Sequence, residues 1–243
     1  MRDAVGVGVG VGVAVAVAVA VEVEVEVEVD VAGGGGGAES CACARAAVEP
    51  AIRTAARRMR MALTPTLYDF DVALSHVDRD LHERLSFKVA RHPSETLDRM
   101  WLRALAYCWL HEERMTFGPG ISDPDEPDLF AEDLTGQKTL WVRVGKPDPV
   151  KLQREADRAG RARVAVLFES PQRLEAFVAE AREAKLARLA RIELAAVDAT
   201  LLARLAAVEE RRTRLALTIV GDHLYVERGG QALDGALTRA TLG

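Results

Sequence analysis

From Asp3 to Glu39 every residue is Val, Gly, Ala, Glu or Asp, and Val occupies every odd position from Val5 to Val31. The uncharged stretch Ala4–Val21 reaches the length of a spanning helix. Yet Val and Gly are poor helix formers, and no Leu, Ile or Phe interrupts them. A signal peptide would close on a small-residue cleavage site, whereas this run passes into alternating Glu. Strict alternation fits a strand, and the Val-Ala block has the composition of an aggregation-prone segment. In the standard genetic code the five residue types share codons that begin with G, the signature of a short nucleotide repeat read through by a reading frame. Residues 1–60 are therefore expected to be a low-complexity extension outside the fold, with Met61 opening the folded body. A membrane or export segment and a genuine low-complexity tail are the alternatives.

The body, residues 61–243, is long enough for one well-buried domain. The whole chain carries a formal charge of −5, of which the first 60 residues contribute −2, leaving −3 for the body. That balance neither requires nor excludes a nucleic-acid partner, because a local basic patch suffices. Of the three cysteines, Cys41 and Cys43 form an isolated C-x-C that no second pair completes into a zinc site. Cys108 falls on an apolar helix face. With neither a disulfide framework nor an export signal, the expected compartment is the cytoplasm.

Along the body, "TLYDFDVALS" alternates Tyr68, Phe70, Val72 and Leu74 against Asp69, Asp71 and Ser75. "ERLSFKVAR" repeats the period with Leu85, Phe87 and Val89, so the two segments read as a hairpin. "HPSETLDRMWLRALAYCWLHEE" then predicts a helix with Ser94 as N-cap. After a Gly/Pro/Asp-rich connection, "KTLWVRVGKPDP" reads as a buried strand, "DPVKLQREADRAG" as a helix ended by Gly160, and "RVAVLF" as a strand. "SPQRLEAFVAEAREAK" is a helix capped by Ser170 with Pro171 in first position. "LARIELAAV" is a strand candidate, and "DATLLARLAAVEERR" a helix. "LALTIVGDHLYVER" closes the series as a hairpin around Gly221-Asp222. The order predicts a mixed α/β domain with helices packed on a sheet.

Acid is concentrated in "DPDEPDLFAEDLTG". One reading is a solvated turn. The other begins with Asp128, at the edge of a strand that precedes "LWVRVG". Two neighbouring strands that each present an acid can hold Mg²⁺, which activates water and stabilises a leaving phosphate oxygen. His92 and His111 flank the long helix as weaker general-base candidates. Trp101, Trp109 and Trp141 read as core rather than as a base-stacking platform. The arginines at 182–191 and 211–214 read as solvated helix faces, with a nucleic-acid surface as the alternative.

The stretches "RHPSET", "DEPDLF", "DLTG" and "LWVRVGKPD", in this order and spacing, resemble the YaeQ family, as does the opening "MALTPTLYD" from Met61. The resemblance covers nearly all of 61–243 and none of 1–60. It implies a restriction-endonuclease-like, PD-(D/E)xK variant fold: a mixed central sheet flanked by helices, here with an N-terminal β-hairpin. In that superfamily an Asp and a second strand acid bind a divalent metal, and a Lys positions the attacking water. Carried over, Asp128 after Pro127 is the metal-binding aspartate, and Glu95 is a candidate further metal carboxylate. The family's W-x-E-x-G pattern reads Trp141-Val142-Arg143-Val144-Gly145 here. The acid position is thus Arg143, and the lysine position is Gly145 with Lys146 next to it.

A guanidinium where a ligand carboxylate should stand repels a dication. The resemblance implies Mg²⁺, and Arg143 argues against it. The expectation is a salt bridge from Arg143 to Asp128 or Glu95 in a vacated metal site. The expected function is a non-catalytic nucleic-acid- or protein-binding domain. The alternative is a Mg²⁺-dependent nuclease using Asp128 and Glu95. No membrane partner is expected if translation starts at Met61.

Overall fold

The structure is a computed structural model that describes residues 64–123, 125–185 and 191–241; the expectations for residues 1–60 lie outside the described residues. Strands β1 (Thr66–His76) and β2 (Leu81–Arg91) form the expected hairpin, turned by Asp80 in the left-handed region at φ 49°. Their alternation is realised in register: Phe70 faces Phe87 and Val72 faces Leu85, with the phenyl rings stacked 5.3 Å apart.

Helix α1 (Leu97–Trp109) follows, and Met100 to Ala106 are all buried, so it is enclosed rather than packed on one side. Thr96, not Ser94, caps it: the Thr96 hydroxyl accepts from the Arg99 amide at 3.3 Å. Ser94 instead hydrogen-bonds the His92 ring. Burial pushes the Cys108 thiol up to about 12, as befits a core residue.

The remaining strands are β3 (Met115–Phe117), β4 (Leu129–Glu132), β5 (Lys138–Val144), β6 (Arg163–Phe168), β7 (Glu193–Val197), β8 (Arg212–Val220), β9 (His223–Arg228) and β10 (Gln231–Ala240). Helices α2 (Pro149–Ala159), α3 (Pro171–Glu183) and α4 (Ala199–Ala206) separate them. The expected caps at Ser170 and Gly160 are present, the glycine at φ 61°. Asp148 and Asp198 cap α2 and α4.

All ten strands join one mixed sheet in the order β2-β1-β8-β9-β10-β7-β6-β5-β4-β3. Strands β5, β6 and β7 are parallel, and their near-continuous apolar runs follow from burial on both faces. Leu140, Val142, Ala165 and Leu167 face the inner core with α1 and α4. Trp141, Val166 and Phe168 face an outer core with Leu152 of α2 and Phe177 of α3.

The sheet curls until it is nearly closed. Strand β10 joins its halves, pairing with β9 through residues 231–236 and with β7 through residues 237–240. The two edge strands meet through side chains: Phe87 of β2 lies 5.6 Å from Phe117 of β3, and Tyr107 of α1 packs on both rings. No helix among the described residues is long and apolar enough to cross a membrane.

The crossing of β10 over α4 requires glycine at 235. A Cβ there would stand 2.8 Å from Asp198 Cβ and 2.9 Å from Leu201 Cβ. Gly235→Ala is therefore expected to destabilise the domain by about 1–3 kcal/mol through overpacking, measured as a fall in the urea midpoint at unchanged m value.

Candidate functional site

Asp128 sits one residue before β4, and its backbone is fixed on both sides. Its amide donates to the Val142 carbonyl at 2.9 Å, and its carbonyl accepts from Gly118 N at 2.9 Å. The chain passes so closely that a Cβ on Gly118 would fall 2.0 Å from the Pro127 carbonyl oxygen. The carboxylate is buried, at 1 % exposure. Its Oδ2 accepts from the Val144 amide at 3.0 Å, and its Oδ1 accepts from Arg99 Nη2 at 2.5 Å.

Glu95 lies in the turn between β2 and α1 and is also buried. Its Oε1 accepts from Arg99 Nη1 at 2.9 Å; its Oε2 accepts from Arg103 Nη1 at 3.1 Å and from the His92 amide at 3.3 Å. The structure thus brings the two candidate metal carboxylates together, but through one guanidinium: Arg99 holds Glu95 with one nitrogen and Asp128 with the other. Arg103, only 1 % exposed, adds a second cation, donates to the Ala90 carbonyl at 3.0 Å and lies over the Phe117 ring.

Arg143 does not stand in this cluster, which corrects the expected salt bridge to Asp128 or Glu95. Strand alternation explains why. Leu140, Val142 and Val144 point inward, so Arg143 points outward with Trp141. There it meets Glu155 of α2 in a forked pair, Nε to Oε2 at 2.8 Å and Nη2 to Oε1 at 2.5 Å, while Nη1 donates to the Glu126 carbonyl at 2.6 Å. Lys146 also lies apart, ion-paired with Glu180 of α3. Gly145 holds φ 82° in the turn that ends β5.

The weaker candidates fall into structural roles. His92 bonds Ser94 at the helix entrance, and His111 pairs with Glu83 across 3.3 Å. The three tryptophans are buried, as expected. Of the acids in the acidic connection, Asp128 alone is buried; Asp123, Asp125 and Asp133 are exposed and Glu126 and Glu132 half-buried. Arg211–Arg214 lead into strand β8 rather than forming a helix face.

The donor set does not suit a divalent metal. A dication between the two carboxylates would stand within about 4 Å of the Arg99 guanidinium, a repulsion of roughly 8 kcal/mol at an effective dielectric near 20. Among the described residues, no three His, Cys, Asp or Glu side chains come close enough together to hold a metal ion. None of four clefts among the described residues is lined by Asp128, Glu95 or Arg143.

Sequence reasoning missed Arg99, Arg103 and Glu155. The signal for the first two was present: Glu95-x₃-Arg99-x₃-Arg103 spaces an acid and two arginines four residues apart, the arginines on one face of a largely apolar helix.

The fold and this cluster define a mixed α/β domain with a buried acid–arginine network at the mouth of a curled sheet. The family model described as YaeQ protein matches residues 61–236, and the chain belongs to that family. Curated relatives include the uncharacterized protein YaeQ of Escherichia coli K12, 30 % identical over 178 residues, covering 73 % of this chain and 97 % of that protein. The Salmonella typhi protein of the same description is 29 % identical over the same length. Among solved structures, the YaeQ protein of Xanthomonas axonopodis pv. citri matches with TM-score 0.67 at 26 % identity, covering 73 % of this chain and 99 % of that one. That of Pseudomonas syringae matches with TM-score 0.66 at 31 % identity, covering 73 % and 96 %.

The buried Arg143–Glu155 pair makes a clear prediction. Glu155→Gln removes the carboxylate that faces the buried Arg143 guanidinium and is expected to cost about 3–5 kcal/mol, whereas the joint change Arg143→Leu with Glu155→Leu costs far less. Chemical denaturation of both variants separates the outcomes.

Proposed function

We propose that this chain is a non-catalytic nucleic-acid-binding member of its family, with a nuclease-like fold whose metal-site carboxylates serve as ion-pair partners. The observation that carries the non-catalytic part is the Arg99 guanidinium bonded to both Asp128 and Glu95. An internal cation there leaves no role for a metal-activated water.

The nucleic-acid part rests on the outer face of β2-β1-β8-β9. No helix of the described residues packs on it, and it presents rows of charge. Lys88, Asp69 and Arg212 align across three strands, and Arg84, Asp71 and Arg214 lie beside them. Four cations share two carboxylates, and the Arg212 and Arg214 side chains are 90 % and 89 % exposed. Tyr225 of β9 stands half exposed on the same face and can take a base on its ring. Cations beside an exposed aromatic on an open sheet suit a single strand better than a duplex groove.

The competing reading, a Mg²⁺-dependent nuclease, requires Arg99 to release both carboxylates. Its guanidinium is a quarter exposed, which gives that movement a route.

Both readings are tested with the full chain on labelled single- and double-stranded oligonucleotides. The expected result is salt-dependent binding to single strands without cutting in Mg²⁺ or Mn²⁺. Binding should weaken at least about tenfold in Arg212→Glu/Arg214→Glu with a shallower salt slope. Tyr225→Ala should lose about 1–3 kcal/mol. Metal-dependent cleavage that disappears in Asp128→Asn would establish the nuclease instead, and absence of both binding and cleavage would reject the nucleic-acid assignment.

A further inference from the structure

A cleft of about 710 Å³ opens at the other end of α1, near Trp109, where β1, β6, β7 and β10 converge. A 13-residue helix at about 1.5 Å per residue separates it from the Glu95–Asp128 cluster by roughly 20 Å. Its volume is that of a small-molecule site. Trp109, Leu110, Ile192 and Leu194 give it apolar walls.

The charges around the cleft are unevenly committed. Each acid is engaged: Asp78 accepts from the Gly221 amide at 2.8 Å, Asp222 pairs with Arg239, and Glu193 with Arg163. Arg79 donates to the carbonyls of Trp109 and His111 and covers the negative end of the α1 dipole, which would otherwise repel an anion. Arg191 lines the same cleft, is exposed, and makes no ion pair among the described residues. Arg239 uses Nε on Asp222 and Nη2 on the Gly221 carbonyl, leaving Nη1 without a partner among the described residues.

His76, 3 % exposed, also lines the cleft, and its Nδ1 is buried without a hydrogen-bond partner. Burial first, and the neighbouring Arg79, hold the imidazole below the ordinary histidine pKa, so it is neutral at neutral pH. The neutral ring keeps one N–H that it can donate.

We infer that this cleft binds a small phosphate monoester with an apolar body, the phosphate held by Arg191 and Arg239 with His76 as donor and the body against Trp109 and Ile192. An uncommitted guanidinium beside an apolar wall selects such a ligand over a neutral one or a bare anion.

The test is calorimetry on the full chain with phenyl phosphate as probe, and inorganic phosphate and phenol as controls. His76 imidazole resonances are followed in parallel. The expected result is saturable binding of phenyl phosphate, weaker binding of inorganic phosphate, none of phenol, and a shift of the His76 signals. Arg191→Glu, an exposed substitution outside any ion pair among the described residues, should weaken binding by about tenfold or more, and Arg239→Gln should act in the same direction. Absence of saturable binding, equal binding of phenol, or binding unchanged in both variants would overturn the assignment.

Discussion

The Glu95–Arg99–Asp128 bridge, backed by Arg103, is the interaction on which the rest of the structure depends. Glu95 follows β2, one edge of the ten-stranded sheet, and Asp128 precedes β4, beside the opposite edge. Arg99 and Arg103 project from α1, the helix the sheet encloses. Arg103 continues the link with one nitrogen on the Ala90 carbonyl of β2 and its face over Phe117 of β3. The bridge therefore holds together two edges that share no ladder hydrogen bonds. Around it, the Phe87–Tyr107–Phe117 contacts fill the seam with apolar surface. Removing one buried partner would leave charges without counterparts in a nearly dry site, the costly case for an ion pair.

The same bridge decides the chemistry. Two carboxylates held close together invite a divalent cation. Here a tethered guanidinium meets the demand for positive charge and supplies directional N–H donors in place of an open coordination position. A guanidinium generates no hydroxide and accepts no water as a ligand. On the proposed reading the cluster stabilises geometry, and binding surfaces elsewhere become the places to look for function. The open charged face around Arg212 and the cleft around Arg191 are two such places, on different parts of the domain.

Much of this was legible in the sequence, and the rest was hidden for identifiable reasons. Period-two alternation gave β1 and β2, and helical period with Ser170-Pro171 gave α3, because both signals are local. The motifs "DEPDLF" and "RHPSET" singled out Asp128 and Glu95 as candidate carboxylates, but their burial around Arg99 was not read from the sequence. Arg143 was placed correctly on its strand but assigned the wrong partner. Its direction depends on which face of β5 meets α2, a tertiary fact that no local pattern contains. Thr96 displaced Ser94 as cap because Ser94 had a nearer partner in His92. Strand β10 escaped notice because its Ala, Gly and Asp content is poor in strand formers, with Thr238 its one β-branched residue. The inward series Leu233, Gly235 and Leu237 acquires meaning only against α4.

The most direct measurement of the central claim is Mn²⁺ titration of the full native chain, followed by electron paramagnetic resonance, beside the Asp128→Asn variant. If Arg99 occupies the carboxylate pair, the native protein shows no stoichiometric Mn²⁺ binding at neutral pH and its titration superimposes on that of the variant. One equivalent of bound Mn²⁺ in the native protein that is lost in Asp128→Asn would contradict the account, because Asp128 would then be a metal ligand and Arg99 a movable gate.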